Sequence, residues 1–164
     1  MIRRPPRSTQ SRSSAASDVY KRQSMDGGLM SRSLQYRRKI DYVASMLGDL
    51  PPNLDDRYYF EALLYRLHTS IEAIMSVLAM LVKDLGLSVG DDYINIERLE
   101  SAGIIKSEMA DFLRRLNGLR NAIVHKYNKF DESIVRDELD EVISGVFNFL
   151  EVIENVLQKI IGGD

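Results

Sequence analysis

The 164-residue chain contains no cysteine, which excludes disulfides and thiolate-held zinc and says little about the compartment. No apolar run approaches the roughly 18–20 residues that a membrane-spanning helix needs, so no membrane contact is expected and the cytoplasm is the default location. Two histidines are present, His68 and His125, far apart and with no i,i+4 partner, a weak basis for a metal site. There is no phosphate-cradling glycine loop, no His-Glu-x-x-His helix and no nucleophilic-serine elbow. Neither a metal nor a cofactor is therefore expected.

The first 23 residues do not read as evolved protein. Met1 to Thr9 is the translation of a flow-cell adapter used in short-read sequencing, and Ser13 to Gln23 that of a transposase-library adapter. Gln10, Ser11 and Arg12 fit the index between them. We set residues 1–23 aside, as one sets aside a fusion scar. Residues 24–30 hold an undecided native start, and residues 31–161 are expected to form one domain. The charge argument changes with this division. Residues 1–23 carry six basic side chains and one acid, which leaves 16 basic against 23 acidic residues, a net of −7, for the rest. So acidic a chain is no general nucleic-acid binder with a broad basic surface. Any role on RNA needs a local positive cleft.

Apolar residues recur at three- and four-residue steps throughout. Leu34, Ile40, Val43, Ala44 and Leu47 predict a first helix from Ser31 to about Leu47, and Gly48 to Asn53, with two prolines, a loop. A long second helix starts near Asp55 and runs from Phe60 to Leu85, with Gly86 as its cap. Ser88 to Asp92 reads as a polar bridge to a short segment over Asn95 to Leu99. Ser107 and Glu108 open a fourth helix that buries Met109, Phe112, Leu113, Leu116, Leu119, Ile123 and Val124. Lys126 to Asp131 is a turn, and the last helix uses positions from Val135 to Ile160. Without strand alternation or repeats, this is an all-α antiparallel bundle of four to five helices. Its methionines and tyrosines read as core filler.

One stretch stands apart: Gly118-Leu119-Arg120-Asn121-Ala122-Ile123-Val124-His125-Lys126-Tyr127, an R-N-x-x-x-H-x-Y pattern in the last turns of the fourth helix. Arg offers a planar fork of donors that matches phosphate oxygens. His transfers protons near neutrality. An ideal helix separates Arg120 and His125 by about 140°, whereas Asn121 and His125 share a face. Unwinding near His125, long Arg reach, or a cleft shared by two protomers each bring both to one phosphate. A purely structural alternative pairs Arg120 with an acid, caps backbone with Asn121 and lets His125 end the helix. His68, beside Leu67 in mid-helix, reads as a satisfied bundle histidine.

The decamer, with the Arg38-Lys39-Ile40 opening, Ile71-Glu72-Ala73 and Leu99 to Ile105, resembles HEPN-domain proteins of the HepT type, ribonuclease toxins of toxin–antitoxin pairs. The resemblance implies a metal-independent ribonuclease acting as a homodimer, with two motifs facing one cleft. In it His125 moves protons, Arg120 stabilises the phosphorane and Asn121 orients the site, while Lys126, Arg114 and Arg115 supply local positive potential. It also implies a partner, an MntA-like minimal nucleotidyltransferase antitoxin that adenylylates Tyr127, and an RNA substrate, either transfer or messenger RNA. The competing functions are a catalytically silent HEPN module that docks a nucleotidyltransferase and binds nucleotide or RNA, and a purely structural dimerising bundle.

Overall fold

In a computed structural model of the protein, residues 31–50, 52–125 and 131–160 are described. They form five helices and no strand: α1 over residues 31–48, α2 Arg57–Asp84, α3 Asp92–Ser101, α4 Ser107–Val124 and α5 Glu132–Ile160. The all-α antiparallel bundle is thus the observed fold. Contacts divide the chain into two units after Arg37, and the second unit, from Arg38 onward, holds all the site residues.

The helix ends are set by local chemistry. Asp56, not Asp55, caps α2, its carboxylate accepting from the N–H groups of Tyr58 and Tyr59. At the other end the cap residue is Leu85, and Gly86 follows it at φ +78°. There Leu87 N–H donates to the Val82 carbonyl and Gly86 N–H to that of Lys83, both at 3.0 Å. The same double closure ends α3, with Gly103 at φ +75°, Ile104 N–H on Leu99 and Gly103 N–H on Glu100. Both glycines hold a left-handed position that a Cβ would strain.

α3 is longer than its apolar residues suggest. Asp91, which the polar pattern assigns to a bridge, is its N-cap and accepts from Ile94 N–H at 2.9 Å. Buried Asn95 closes the preceding loop, accepting from Gly90 N–H at 2.8 Å and donating to the Gly90 carbonyl at 3.1 Å. Local hydrogen bonds, rather than hydrophobic periodicity, define this start.

The core is built from Ile40, Val43 and Leu47 on α1, from α2 positions Phe60 to Val82, from Ile96 and Leu99, and from one row each on α4 and α5. Three expectations fail. Leu34 and Val124 are exposed, because each sits near a helix end where the apolar row has run out. Of the tyrosines, Tyr36 is buried, but Tyr42, Tyr58, Tyr59, Tyr65 and Tyr93 stand out in solvent, off the core rows and with phenols able to stay hydrated. Arg57 to Glu132 at 2.7 Å and Arg136 to the Leu54 carbonyl at 2.7 Å tie the starts of α2 and α5. Arg136 also stacks over Phe60, 4.1 Å from the ring centre. On the far side of α4 the Phe112 ring lies so close to Gly145 that a Cβ there would be 2.3 Å from two ring carbons.

Candidate active site

The inward row of α4 is Met109, Leu113, Leu116, Arg120 and Ile123, spaced 4, 3, 4 and 3 residues apart. Four are apolar and buried; the fourth in order is an arginine. A charge on a core row must be paired, because removing it from water unpaired is costly. Arg120 is paired on several sides. Its Nη1 donates to Oε1 of Glu72 on α2. Its Nη2 donates to Oδ2 of Asp92 on α3 at 2.9 Å and to Oδ1 of Asn117, one turn back on α4, at 3.0 Å. Its Nε is buried and, among the described residues, has no hydrogen-bond partner. All the donation therefore leaves from the outer edge of the guanidinium.

The three acceptors differ in exposure. Asn117 is 2% exposed, the Asp92 side chain 30% and that of Glu72 49%. Asp92 is the first residue of α3, just after the Asp91 cap, where an acidic side chain also suits the helix dipole. Glu72 has a second neighbour, Nε2 of His68 at 3.7 Å, one turn earlier on α2. His68 is thus no core histidine. It lies at the rim, partly exposed, beside the carboxylate that Arg120 uses.

His125 caps the C-terminus of α4 at φ −102°, ψ 29°, its N–H donating to the Asn121 carbonyl at 3.1 Å. The α-helix therefore ends at the residue before it. Asn121 and His125 are both exposed. Arg120 and Asn117 point into the bundle while Asn121 and His125 sit on the outer face. The structural alternative is right in part: Arg120 does pair with acids and His125 does end the helix.

Of the expected phosphate contacts, Arg114 is committed elsewhere. It donates to Glu100 at 2.6 Å and to Asp111 at 2.8 Å. The hydrogen bond from Arg114 is the largest reason that the Glu100 carboxyl lies below its usual range, with one from Ser107 next. Arg115 is largely exposed, 3.7 Å from Glu141 and over the Phe112 ring. It lines a groove of about 820 Å³ between α4 and α5, together with Lys106 and Lys159. Lys126 and Tyr127 lie outside the described residues. The sequence does not single out Glu72, Asp92 and Asn117 as neighbours of Arg120. The available signal is the polar pair Asn117 and Arg120 on the inner side of α4.

Among the described residues no group of three or more His, Asp and Glu side chains is placed to hold a metal, and no helix is long and apolar enough to cross a membrane.

Residues 39–153 match the family model "Ribonuclease HepT-like". An Archaeoglobus fulgidus protein named "Putative RNase" is 42% identical over 129 residues, covering 79% of this chain and 98% of the relative. Among solved structures, a tri-AMPylated Shewanella oneidensis HEPN toxin in complex with MNT antitoxin superposes with a TM-score of 0.61 at 20% identity, covering 77% of this chain and 96% of that one. A toxin–antitoxin complex with AMP-PNP gives 0.60 at 18% identity, covering 77% and 97%.

Proposed function

The chain belongs to the HepT-like ribonuclease family, and from that premise we propose that it is the metal-independent ribonuclease toxin of a toxin–antitoxin pair. The observation that carries the proposal is the placement of Arg120 and His125 at one end of α4, the first held by three partners and the second exposed at the helix terminus.

In the proposed reaction the 2′-hydroxyl of a ribose attacks the adjacent phosphorus. The 2′-oxygen bond to phosphorus forms, the bond to the 5′-oxygen breaks, and a 2′,3′-cyclic phosphate and a 5′-hydroxyl result. One proton leaves the 2′-hydroxyl and one reaches the leaving oxygen. His125 moves a proton as base or acid, a contribution of about 10²–10⁴-fold in such catalysis. Arg120 stabilises charge on the phosphorane, and Asn121, on the outer face with His125, orients the phosphate. Because the nucleophile belongs to the substrate, no hydrolytic water has to be activated by an ion.

Two protomers facing each other across the His125 ends complete the cleft, and Lys126 and Arg115 add positive potential around it, whereas Arg114 is held by Glu100 and Asp111. The partner is an MntA-like nucleotidyltransferase that adenylylates Tyr127, adding bulk and negative charge at the cleft mouth. The substrate is cytoplasmic transfer or messenger RNA.

A silent, RNA-binding HEPN module is the second reading. One observation favours it: Arg120 meets two carboxylates, so the cluster has no spare positive charge.

The deciding experiment incubates the purified protein and its His125→Ala variant with total RNA in EDTA and maps the ends. Cleavage by the parent alone, leaving 2′,3′-cyclic phosphate, is the expected result. Binding without cleavage by the folded parent selects the silent module.

A further inference from the structure

We propose that the substrate phosphate docks on the Nη1 edge of Arg120, that Glu72 occupies this place in the free chain, and that Asp92 and Asn117 are positioning residues that keep the guanidinium aimed there. This rests on the reading of Arg120 as a phosphate-contacting residue.

The two ends of the guanidinium are not alike. Nη2 gives one hydrogen to Asp92 and the other to Asn117, so its capacity is used up. Asn117 is buried, and Asp92 is fixed by the capped first turn of α3, which the Gly90–Asn95 pair braces from behind. Nothing on that side exchanges without unmaking the α3 start. Nη1 gives one hydrogen to Glu72 and keeps another. Glu72 is the most exposed of the three partners, and an ion pair open to water is weak and easily traded.

A carboxylate and a phosphate offer a guanidinium the same kind of acceptor pair. Glu72 therefore stands where a phosphate would stand, as an internal competitor. Its displacement leaves no stranded charge, because His68 Nε2 is already 3.7 Å from the same oxygen and Glu72 has solvent on its other side. With Glu72 in place the Arg120 cluster carries two acids against one arginine. An anion has to outcompete a carboxylate to enter, so a polyanion held at several points enters where free monoanions do not.

The test measures RNA binding by anisotropy in the His125→Ala background, where nothing is cut, with and without Glu72→Gln. The amide still accepts from Nη1 but no longer repels phosphate. Binding is expected to tighten by about 5-fold or more, the effect of one unit charge near 4 Å even in water. In the parent background, Glu72→Gln lowers KM, whereas Asp92→Asn lowers kcat at nearly unchanged KM. Should Glu72→Gln fold poorly by circular dichroism, Glu72→Ala serves in its place. Unchanged or weaker RNA binding by a folded Glu72 variant overturns the proposal and leaves the nuclease reading standing. A parent protein that neither binds nor cuts RNA overturns both.

Discussion

Nη2 of Arg120 and Oδ2 of Asp92, 2.9 Å apart, join the last turns of α4 to the first turn of α3. Together with Glu72 they make one arginine the meeting point of three helices.

Removing that arginine costs stability as well as activity. Arg120→Ala leaves two acids facing each other and the buried Asn117 oxygen without its donor, and is expected to lower the free energy of unfolding by about 1–3 kcal/mol. Arg120→Lys should recover only part of it, since an ammonium cannot present two separate nitrogens to three acceptors. Urea midpoints of the two variants check the order parent, lysine, alanine.

The contact between Phe112 and Gly145 is a sterically tight one. Gly145→Ala forces the ring to move and is expected to cost about 1–3 kcal/mol. In a Phe112→Ala background the same change should cost much less. The coupling in a double-mutant cycle is the readout, and additivity would mean that the ring moves away freely.

Acid should loosen the α3–α4 connection. The Glu100 carboxyl is depressed from about 4.5 chiefly by Arg114, so its contribution is fully present above that value and disappears as pH falls through the lower, folded one. Thermal melts taken downward from pH 5 should drop less steeply for Glu100→Gln than for the parent. Above pH 6 the difference between the two should be constant.

Tyr127 is expected to take up AMP from ATP when the protein is mixed with an MntA-like nucleotidyltransferase. Intact-mass spectrometry should find added mass in whole AMP increments, lost in Tyr127→Phe, and the modified protein should stop cutting RNA. Modification that persists in Tyr127→Phe would move the acceptor elsewhere.

Most of the helices were legible because their apolar rows are long. α2 alone repeats the pattern from Phe60 to Val82, and the three- and four-residue apolar steps select its buried positions apart from Ser70 and Val77. α3 was not, since only Ile96 and Leu99 among its apolar residues are buried and its start depends on the Asp91 cap and the Gly90–Asn95 pair. The motif itself could be read as Arg120 and His125, but not its surroundings. Which acids out of 24 meet Arg120 is decided by how α2 and α3 dock, and Glu72 and Asp92 lie 48 and 28 residues away in the chain. The polar break in the 109–113–116–120–123 row demands buried partners without naming them.

Those distances along the chain have a consequence for the order of events during synthesis. The motif leaves the ribosome after α2 and α3, yet its arginine acquires a direction only once both have packed against α4. A growing or truncated polypeptide carries the same letters with an undirected guanidinium. The aim of that guanidinium thus arrives only with the packing of α2 and α3 against α4.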